Sequence, residues 1–340
     1  MRVGLLTSGG DCPGLNAALW GATAVFQAHG VTAVGIRDGF EGLVRRNSSG
    51  AYDVDLSAVD WTREVREGGS LLGSTRCHPH KDPAMMDAIA KSVADLDALL
   101  VVGGDGSLRS ACKVVDRLAA RGVSVLLGAV PKTIDNDVAA TEAAIGFASA
   151  VSRAVDACDA AQTTARSHRR TMVVEVMGRH SGALAAAVAL AGAAQRCVIP
   201  EHEFDPARFV RWARETPGGV VVVAEGASIP DGPPHAYDED GWIKPGFPST
   251  LLSELLNRNS VPARAVVLGH VLRGGPPVAQ DRELAIAMGA CAASELVSGR
   301  SSLAVLRSGH VEPVAVSNAL APASELHQAV VDRLDCLALC

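Results

Sequence analysis

The chain has 340 residues, a formal net charge of −6 and a pI of about 5.9, and 48% of its residues are hydrophobic. This length suggests two domains of ordinary size with well-filled cores. The acidic balance and an aromatic content of only 4% exclude the basic surface and the stacking platforms of a nucleic-acid-binding protein.

The cysteines and the apolar runs predict where the protein resides. Eight cysteines are scattered without metal-binding spacing, which is typical of small buried residues in a reducing cytoplasm. The apolar stretch at 1–7 meets a glycine-rich loop too early for a signal peptide, and the longest apolar run, 183–194, is too short to span a bilayer. We therefore expect a cytoplasmic protein without membrane association.

Short aliphatic runs alternate with helical patterns along the chain. The runs predict buried parallel strands at 3–7, 31–36, 98–102, 123–127, 172–176, 220–224 and 265–268. The helical patterns cover 83–96, 107–120, 147–161, 183–194 and 281–297. This rhythm predicts an α/β protein with two Rossmann-like three-layer domains and mainly parallel sheets, with a domain change near residue 146.

Three polar loops, two of them rich in glycine, follow predicted strands, where open α/β sheets bind ligands. Residues 7–16 (TSGGDCPGLN) lead into a helix and let backbone N–H groups approach a polyphosphate, although they are not a Walker A sequence. Residues 103–107 (GGDGS) form a second glycine-acid turn. Residues 131–137 (PKTIDND) carry Asp135 and Asp137, and an extended backbone there would place both carboxylates on one side. Together the loops predict a phosphoryl-transfer centre.

Seven motifs occur in the order and at about the spacing of the phosphofructokinase family. They are SGGD at 8–11, GGSLLGSTR at 68–76, GGDGS at 103–107, PKTIDND at 131–137, VEVMGR at 174–179, Glu225 and LGHVLRGG at 268–275. The chain therefore resembles that family over nearly its whole length, which implies the phosphofructokinase fold. The resemblance implies a donor-nucleotide domain of 1–146 plus about 272–301, and a sugar-phosphate domain of 147–271 plus about 302–340.

The resemblance also implies a role for each matching residue. Asp135 is the general base for the sugar 1-hydroxyl, Asp137 is the second catalytic carboxylate, and Thr133 and Arg179 steady the transferring phosphoryl group. Asp105 is the Mg²⁺ ligand. Donor contacts fall on Gly10, Arg76, Cys77, Gly104, Asp105, Gly106, Ser107 and Lys132, and sugar-phosphate contacts on Arg170, Met177, Gly178, Glu225, Arg264, His270 and Arg273.

In the family, the arginines that match Arg170 and Arg264 reach in from a neighbouring subunit. The resemblance therefore implies a homodimer or homotetramer with shared sites. Its other implied partner is a small sugar phosphate, which guanidinium groups suit well.

The phosphoryl donor and the acceptor both have alternatives. Gly106 leaves room for the α-phosphate of ATP, whereas Lys132 occupies a position that is lysine in pyrophosphate-dependent enzymes, so the pair resembles a mixed branch of the family. Cys77, His78 and His80 replace an aromatic segment near the nucleotide of some members, and Leu272 and Pro276 depart from the usual residues around Arg273. We expect Mg-ATP and fructose 6-phosphate, with pyrophosphate and another ketose phosphate such as sedoheptulose 7-phosphate as alternatives.

Two further functions remain open at this stage. A catalytically silent sugar-phosphate sensor would have no need of a general base such as Asp135. An NAD kinase or lipid kinase shares the turn at 103–107 but does not require the arginines and histidine of the acceptor set.

The effector site of allosteric bacterial members is not matched. Trp20, Ala24 and Gln162 stand where that site has three arginines, and Gln195 replaces its effector-responsive acid. We therefore expect little response to phosphorylated effectors.

Overall fold

The computed structural model describes residues 1–46, 52–138, 140–230, 237, 243–320, 332–334, 337 and 339. The chain divides into two compact units. Unit 1 comprises Met1–Thr133, Asp137–Ala148 and Arg273–Ser324, and unit 2 comprises Ile134–Asn136, Ser149–Leu272 and Glu325–Cys340. Within the described part of the chain, no helix combines the length and the apolarity needed to cross a membrane.

The strands in chain order are β1 (Arg2–Ser8), β2 (Thr32–Ile36), β3 (Asp53–Asp55), β4 (Ala98–Gly103), β5 (Leu126–Thr133), β6 (Ile145–Gly146), β7 (Thr171–Val176), β8 (Arg196–Val198), β9 (Val220–Ala224), β10 (Ala263–Val267), β11 (Ser302–Arg307) and β12 (His310–Val314). The α-helices are α1 (Leu15–Ala28), α2 (Gly39–Arg45), α3 (Trp61–Glu64), α4 (Pro83–Ser92), α5 (Asp105–Ala119), α6 (Phe147–His168), α7 (Ala183–Ala191), α8 (Pro206–Glu215), α9 (Phe247–Arg258) and α10 (Ala279–Val297).

Unit 1 is built on a sheet with the order β12-β11-β5-β4-β1-β2-β3, in which β6 adds to the end of β5. The central strands are parallel, and only β3 and β12 run antiparallel to their neighbours. Helix α1 packs against α10, and Gly21 and Gly289 permit this packing because a Cβ at either would overlap the facing backbone. Because β1, β4 and β5 run parallel, the loops that follow them lie at the same end of the strands of this sheet.

Unit 2 contains a four-stranded parallel sheet with the order β10-β7-β9-β8. Strands β7 and β9 are buried along their whole length, which explains their unbroken aliphatic runs. Aromatic and aliphatic side chains of α8 and α9 pack onto this sheet, among them Phe209, Trp212 and Leu252. Strand β10 lies at one edge, and four of its five residues are at least partly exposed.

The structure confirms the predicted α/β class with mainly parallel sheets. Strand β5 begins and ends later than predicted, since its pairing with β4 and β6 continues to Thr133. The resemblance had assigned about 302–340 to the sugar-phosphate domain, whereas Ser302 pairs with Gly128 of β5 in the sheet of unit 1. Strands β3, β6, β8, β11 and β12 and helices α2, α3, α8 and α9 had not been predicted. Strands β3, β6 and β8 have only two or three residues, which is too short to show a periodic pattern.

Candidate active site

The first glycine-rich loop lies at the end of β1 and is held by two neighbouring segments of unit 1. Gly9 has a φ of 91°, and its N–H donates to the carbonyl of Thr75 at 3.0 Å. Lys132 is almost completely buried, and its Nζ donates to the carbonyls of Ser8, at 3.1 Å, and Gly10. The lysine ammonium thus fixes the loop backbone beside the turn at 103–107.

The turn at 103–107 connects β4 to α5. Gly103 is required because a Cβ there would lie 2.6 Å from Cβ of Ser107. Asp105 is the first residue of α5, which places an acid in the first helical turn, and its side chain is 32% exposed. Ser107 is buried under Gly9. The first turn of α5 therefore presents one accessible carboxylate and a small hydroxyl where a helix N-terminus favours phosphate.

The residues around Asp105 fit a magnesium ion that shares its ligands with a donor phosphate. Mg²⁺ in such sites is held by one or two carboxylates, phosphate oxygens and waters. No group of three or more His, Cys, Asp or Glu residues is placed to hold a metal among the described residues. The donor set therefore suits an ion that arrives with phosphate better than an ion bound by protein ligands alone.

The segment 76–80 borders the same turn. Gly106 is exposed, and a Cβ added there would meet only Cε1 of His78, at 3.7 Å. His80 is buried, with its Nδ1 2.9 Å from Oγ of Ser110. Burial lowers the pKa of His78 and of His80, and nearby lysines lower both further. Arg76 is exposed and Cys77 is half-buried.

The structure groups Arg273 with the donor loop of unit 1. Its side chain is buried, and Nη1 donates to the carbonyl of Asp11 at 3.2 Å. A Cβ on Gly10 would lie 2.7 Å from the same Nη1, so Gly10 admits the guanidinium. Within the described residues, Nε of Arg273 is buried without a hydrogen-bond partner. This guanidinium therefore retains donor capacity for an anion.

Asp135 is a buried carboxylate of unit 2. Only 3% of the residue is exposed, and its Oδ2 lies 3.9 Å from Nε of Arg179. Oγ of Ser181 donates to the backbone carbonyl of Asp135 at 3.3 Å. Arg179 has a φ of 55°, which non-glycine residues rarely adopt. The arginine is thus aimed at Asp135 by a turn of unusual conformation.

The backbone around Asp135 is not extended, because Asn136 has a φ of 51°. The alternation of side chains in a strand therefore does not apply to Asp135 and Asp137. Asp137 is half-buried and belongs to unit 1, as does Thr133, the buried last residue of β5.

Glu225 follows β9 and binds the turn that carries Arg179. Its Oε1 accepts hydrogen bonds from the N–H groups of Gly178, at 3.1 Å, and Arg179, at 2.8 Å. Burial raises the pKa of Glu225 to about 7, although these N–H groups oppose the shift, and the charge of Asp135 adds to it. Its Oε2 is buried and has no partner among the described residues. Met177, the residue before this turn, is also buried.

The predicted sugar-phosphate residues of unit 2 lie at opposite ends of the strands of its sheet. Arg170 precedes β7, and Arg264 pairs with Met172 near the start of that strand. Met177, Gly178, Arg179 and Glu225 follow the carboxyl ends of β7 and β9, and His270 follows β10. A six-residue strand such as β7 spans roughly 17–20 Å. The two arginines are therefore separated from the Glu225 group within one chain.

Two residues near these groups were not predicted from the sequence. Arg109 donates from Nε to both carboxylate oxygens of Asp105, at 2.8 and 2.9 Å. Their i,i+4 spacing is the signal that could have identified the pair, but the predicted helix began at 107 and so left Asp105 outside it. Ser181, which contacts Asp135, carried no recognisable pattern.

The fold and these residues define a class of protein: an α/β protein of two units, with glycine-dependent loops at strand ends and a buried carboxylate beside an arginine, groups of the kind that phosphoryl transfer requires. A sequence profile described as phosphofructokinase matches residues 2–296. The chain belongs to the phosphofructokinase family.

Curated relatives of both donor types are similar to this chain. It is 41% identical to the ATP-dependent 6-phosphofructokinase of Corynebacterium efficiens, covering 91% of this chain and 90% of that protein. It is 39% identical to the pyrophosphate–fructose 6-phosphate 1-phosphotransferase of Amycolatopsis methanolica, covering 94% and 95%. Phosphofructokinase from Saccharomyces cerevisiae superimposes with a TM-score of 0.79 at 28% identity, and this chain covers 46% of that longer chain.

Proposed function

We propose that the protein is an ATP-dependent 6-phosphofructokinase, which transfers the γ-phosphoryl group of ATP to the 1-hydroxyl of fructose 6-phosphate and forms fructose 1,6-bisphosphate. The observation that carries this proposal is the buried Asp135 beside Arg179, in the same unit as the half-satisfied Glu225. A protein that only sensed a sugar phosphate would have no use for a buried base, and the relatives of this chain are named as a phosphotransferase and a phosphofructokinase.

Asp135 takes the proton from the attacking hydroxyl. A carboxylate is a sufficient base because phosphoryl transfer depends mainly on alignment and charge stabilisation. The Arg179 guanidinium lies beside Asp135 and offers donors to the equatorial oxygens of the transferring group. Glu225 has one free buried oxygen, which accepts a hydrogen bond from a sugar hydroxyl.

The donor phosphates lie against the loop at 8–11 and the first turn of α5. Lys132 and Arg273 provide positive charge beside the loop, and Ser107 provides a hydroxyl. Asp105 would hold Mg²⁺, which when bound would neutralise charge on the donor phosphates. Thr133, at the end of β5, contacts the transferring group, and Asp137 is the second catalytic carboxylate.

The space at Gly106 supports ATP as the donor. This residue has no neighbour closer than His78 around its missing side chain, which leaves room for an α-phosphate. Lys132 donates to two loop carbonyls, so its ammonium has a structural function whichever donor binds. Pyrophosphate remains the second candidate because several of the similar relatives are named for it.

We further propose a homodimer or homotetramer. Arg170 and Arg264 lie roughly 17–20 Å along the sheet from the Glu225 group, so the arginines of a second copy are needed to bind the 6-phosphate. Among the described residues no strand pairs with the outer edge of β10, and Val267 and Val271 near it are 45% and 65% exposed. The free thiols at Cys12, Cys77, Cys112, Cys158 and Cys291 support a reducing cytoplasm as its location.

The test of this function is Asp135→Asn, which keeps the shape and removes the proton acceptor. We expect kcat to fall by roughly 10² or more while KM for fructose 6-phosphate changes little. Asp159→Asn, an exposed aspartate of the same unit, is the matched control and should retain normal kcat. Normal turnover of the Asp135 variant would refute its role as the base.

The donor is tested by assaying the wild-type protein with ATP and with pyrophosphate across a panel of ketose phosphates that includes sedoheptulose 7-phosphate. Gly106→Asp should abolish most ATP use by placing a carboxylate against the α-phosphate, and should leave pyrophosphate use intact. A wild-type preference for pyrophosphate by a large factor would reverse the donor assignment.

A further inference from the structure

Asp105 is engaged by a cation of its own helix. Nε of Arg109 lies 2.8 Å from Oδ1 and 2.9 Å from Oδ2 of Asp105. The two residues are one turn apart on α5, and their side chains are 34% and 32% exposed. Both are thus accessible to a ligand at the first turn of the helix.

The guanidinium of Arg109 and a magnesium ion require the same oxygens. Asp105 has two carboxylate oxygens, and both accept from Arg109. A cation that binds Asp105 must displace the arginine and also meets its positive charge at short range. A partly exposed i,i+4 ion pair of this kind is weak enough to be exchanged when a better partner for each member is present.

We propose that Arg109 is a positioning residue for the donor, which neutralises Asp105 in the free protein and turns to the donor phosphates when Mg²⁺ takes its place. This inference rests on the proposed function, in which Asp105 holds the metal. Exchange requires an anion for Arg109 and a cation for Asp105 at the same time. Arg109 thereby makes metal binding and donor binding depend on each other.

Removal of the Arg109 charge should shift the two binding reactions in opposite directions. Arg109→Met keeps helix propensity and length. We expect Mn²⁺ alone, followed by electron paramagnetic resonance, to bind this variant about tenfold more tightly than wild type, because a repelling charge is gone. A non-hydrolysable ATP analogue in saturating Mg²⁺, followed by calorimetry, should bind about fivefold more weakly, because a phosphate partner is gone.

Lys113→Met is the matched control, since it removes a charge one turn further along the exposed side of α5 without touching the Asp105 pair. It should change either affinity by less than twofold, and Arg109→Lys should restore values near wild type. Thermal melting checks that all variants fold. Equal effects of Arg109→Met and Lys113→Met would overturn the proposal, because they would reflect net charge alone.

Asp105→Asn distinguishes a failure of the Arg109 proposal from a failure of the proposed function on which it rests. We expect it to abolish Mn²⁺ binding. Unchanged Mn²⁺ binding in Asp105→Asn would remove the metal from Asp105 and refute the donor-site assignment itself. Loss of Mn²⁺ binding in Asp105→Asn, with wild-type behaviour of Arg109→Met, would refute only the role of Arg109.

Discussion

Glu175 and Glu225 are two buried glutamates of unit 2 that lie on neighbouring strands and are used differently. Glu175 is on β7 and is 1% exposed, and Glu225 follows β9 and is 3% exposed. Oε1 of Glu175 accepts from the N–H of Gly246, and Oε2 accepts from both N and Oγ of Ser249, at 3.1 and 2.6 Å. Glu225 uses one oxygen for backbone N–H groups and leaves the other without a partner among the described residues.

The difference separates a structural carboxylate from a ligand-binding one. Glu175 binds the N-terminus of α9, where an acid satisfies free N–H groups and interacts favourably with the helix dipole. A buried oxygen without a partner costs free energy, so the arrangement at Glu225 persists at the expense of stability. A protein retains such an oxygen where a ligand supplies the missing hydrogen bond.

The largest expected effect is a loss of stability in Glu175→Gln. The amide that replaces the carboxylate would turn at least one N–H group towards the N–H and O–H donors that the carboxylate now accepts from. We therefore expect a loss of about 3–5 kcal/mol in the free energy of unfolding. Denaturant unfolding measures this. Glu254→Gln on the exposed face of α9 is the control and should change stability by less than about 0.5 kcal/mol.

The structural role of Glu175 would be refuted if Glu175→Gln were as stable as wild type, or if the folded variant lost turnover while keeping its stability. Either result would give Glu175 a role in the reaction. We expect the specific activity of folded Glu175→Gln to stay within about twofold of wild type, since its carboxylate is fully occupied by the protein.

The second prediction is that Glu225→Gln loses activity and keeps its stability, the reverse of Glu175→Gln. Removal of the charged acceptor should lower kcat/KM for fructose 6-phosphate by roughly 30–100-fold, which corresponds to about 2–3 kcal/mol of lost transition-state binding. Stability at pH 8 should be unchanged or higher, because an ionised buried carboxylate has been removed. Steady-state kinetics and unfolding on the same preparation test both parts, and a kinetically normal but unstable variant would make Glu225 a structural residue like Glu175.

The third prediction concerns the pH dependence of stability. The pKa of Glu225 is raised in the folded protein to about 7 from 4.5, so the folded state binds more protons than the unfolded state between these values. Its contribution to stability is therefore full below about pH 4.5 and is lost as the pH rises through 7. Relative to Glu225→Gln, wild type should lose about 2–3 kcal/mol between pH 4.5 and pH 8. Parallel stability profiles of the two proteins would contradict the raised pKa.

The smallest expected effect is regulatory. Gln162 and Gln195 resemble Glu175 in that the protein itself occupies their side chains: Gln162 donates to the carbonyl of Gly218 at 2.9 Å, and Gln195 accepts from the N–H of Val220 at 2.6 Å. Trp20 and Ala24 add no charge. Each missing cationic contact weakens an effector phosphate by about 1.5–3 kcal/mol.

Millimolar phosphoenolpyruvate should therefore leave the fructose 6-phosphate saturation curve unshifted, and ADP should act only as a competing product. Initial-rate curves with and without phosphoenolpyruvate measure this. A sigmoidal shift that disappears on substitution of Trp20 or Gln162 would show that an effector binds there without the expected arginines.

Local sequence determined the parts of the fold that depend on near neighbours. Aliphatic runs were enough to locate β1, β4, β7 and β9, because a strand buried on both faces must be apolar throughout. The glycines of the loop at 8–14 and the turn at 103–107 were recognisable because close backbone approach excludes other residues. Family membership followed from the order of such motifs.

Tertiary structure alone decided how each polar group is used. Strand pairing carries β5 to Thr133, and long-range hydrogen bonds bury Lys132 against Ser8 and Gly10. The strand register of unit 2 places Arg170 and Arg264 at the amino ends of the strands, whereas Glu225 lies at the carboxyl ends. Glu175 lies near the end of one apolar strand and Glu225 directly follows another, and what separates them is whether Gly246 and Ser249 arrive from 71 and 74 residues away in sequence to satisfy both oxygens. Hydrogen-bond satisfaction depends on the whole chain, so local pattern cannot predict it.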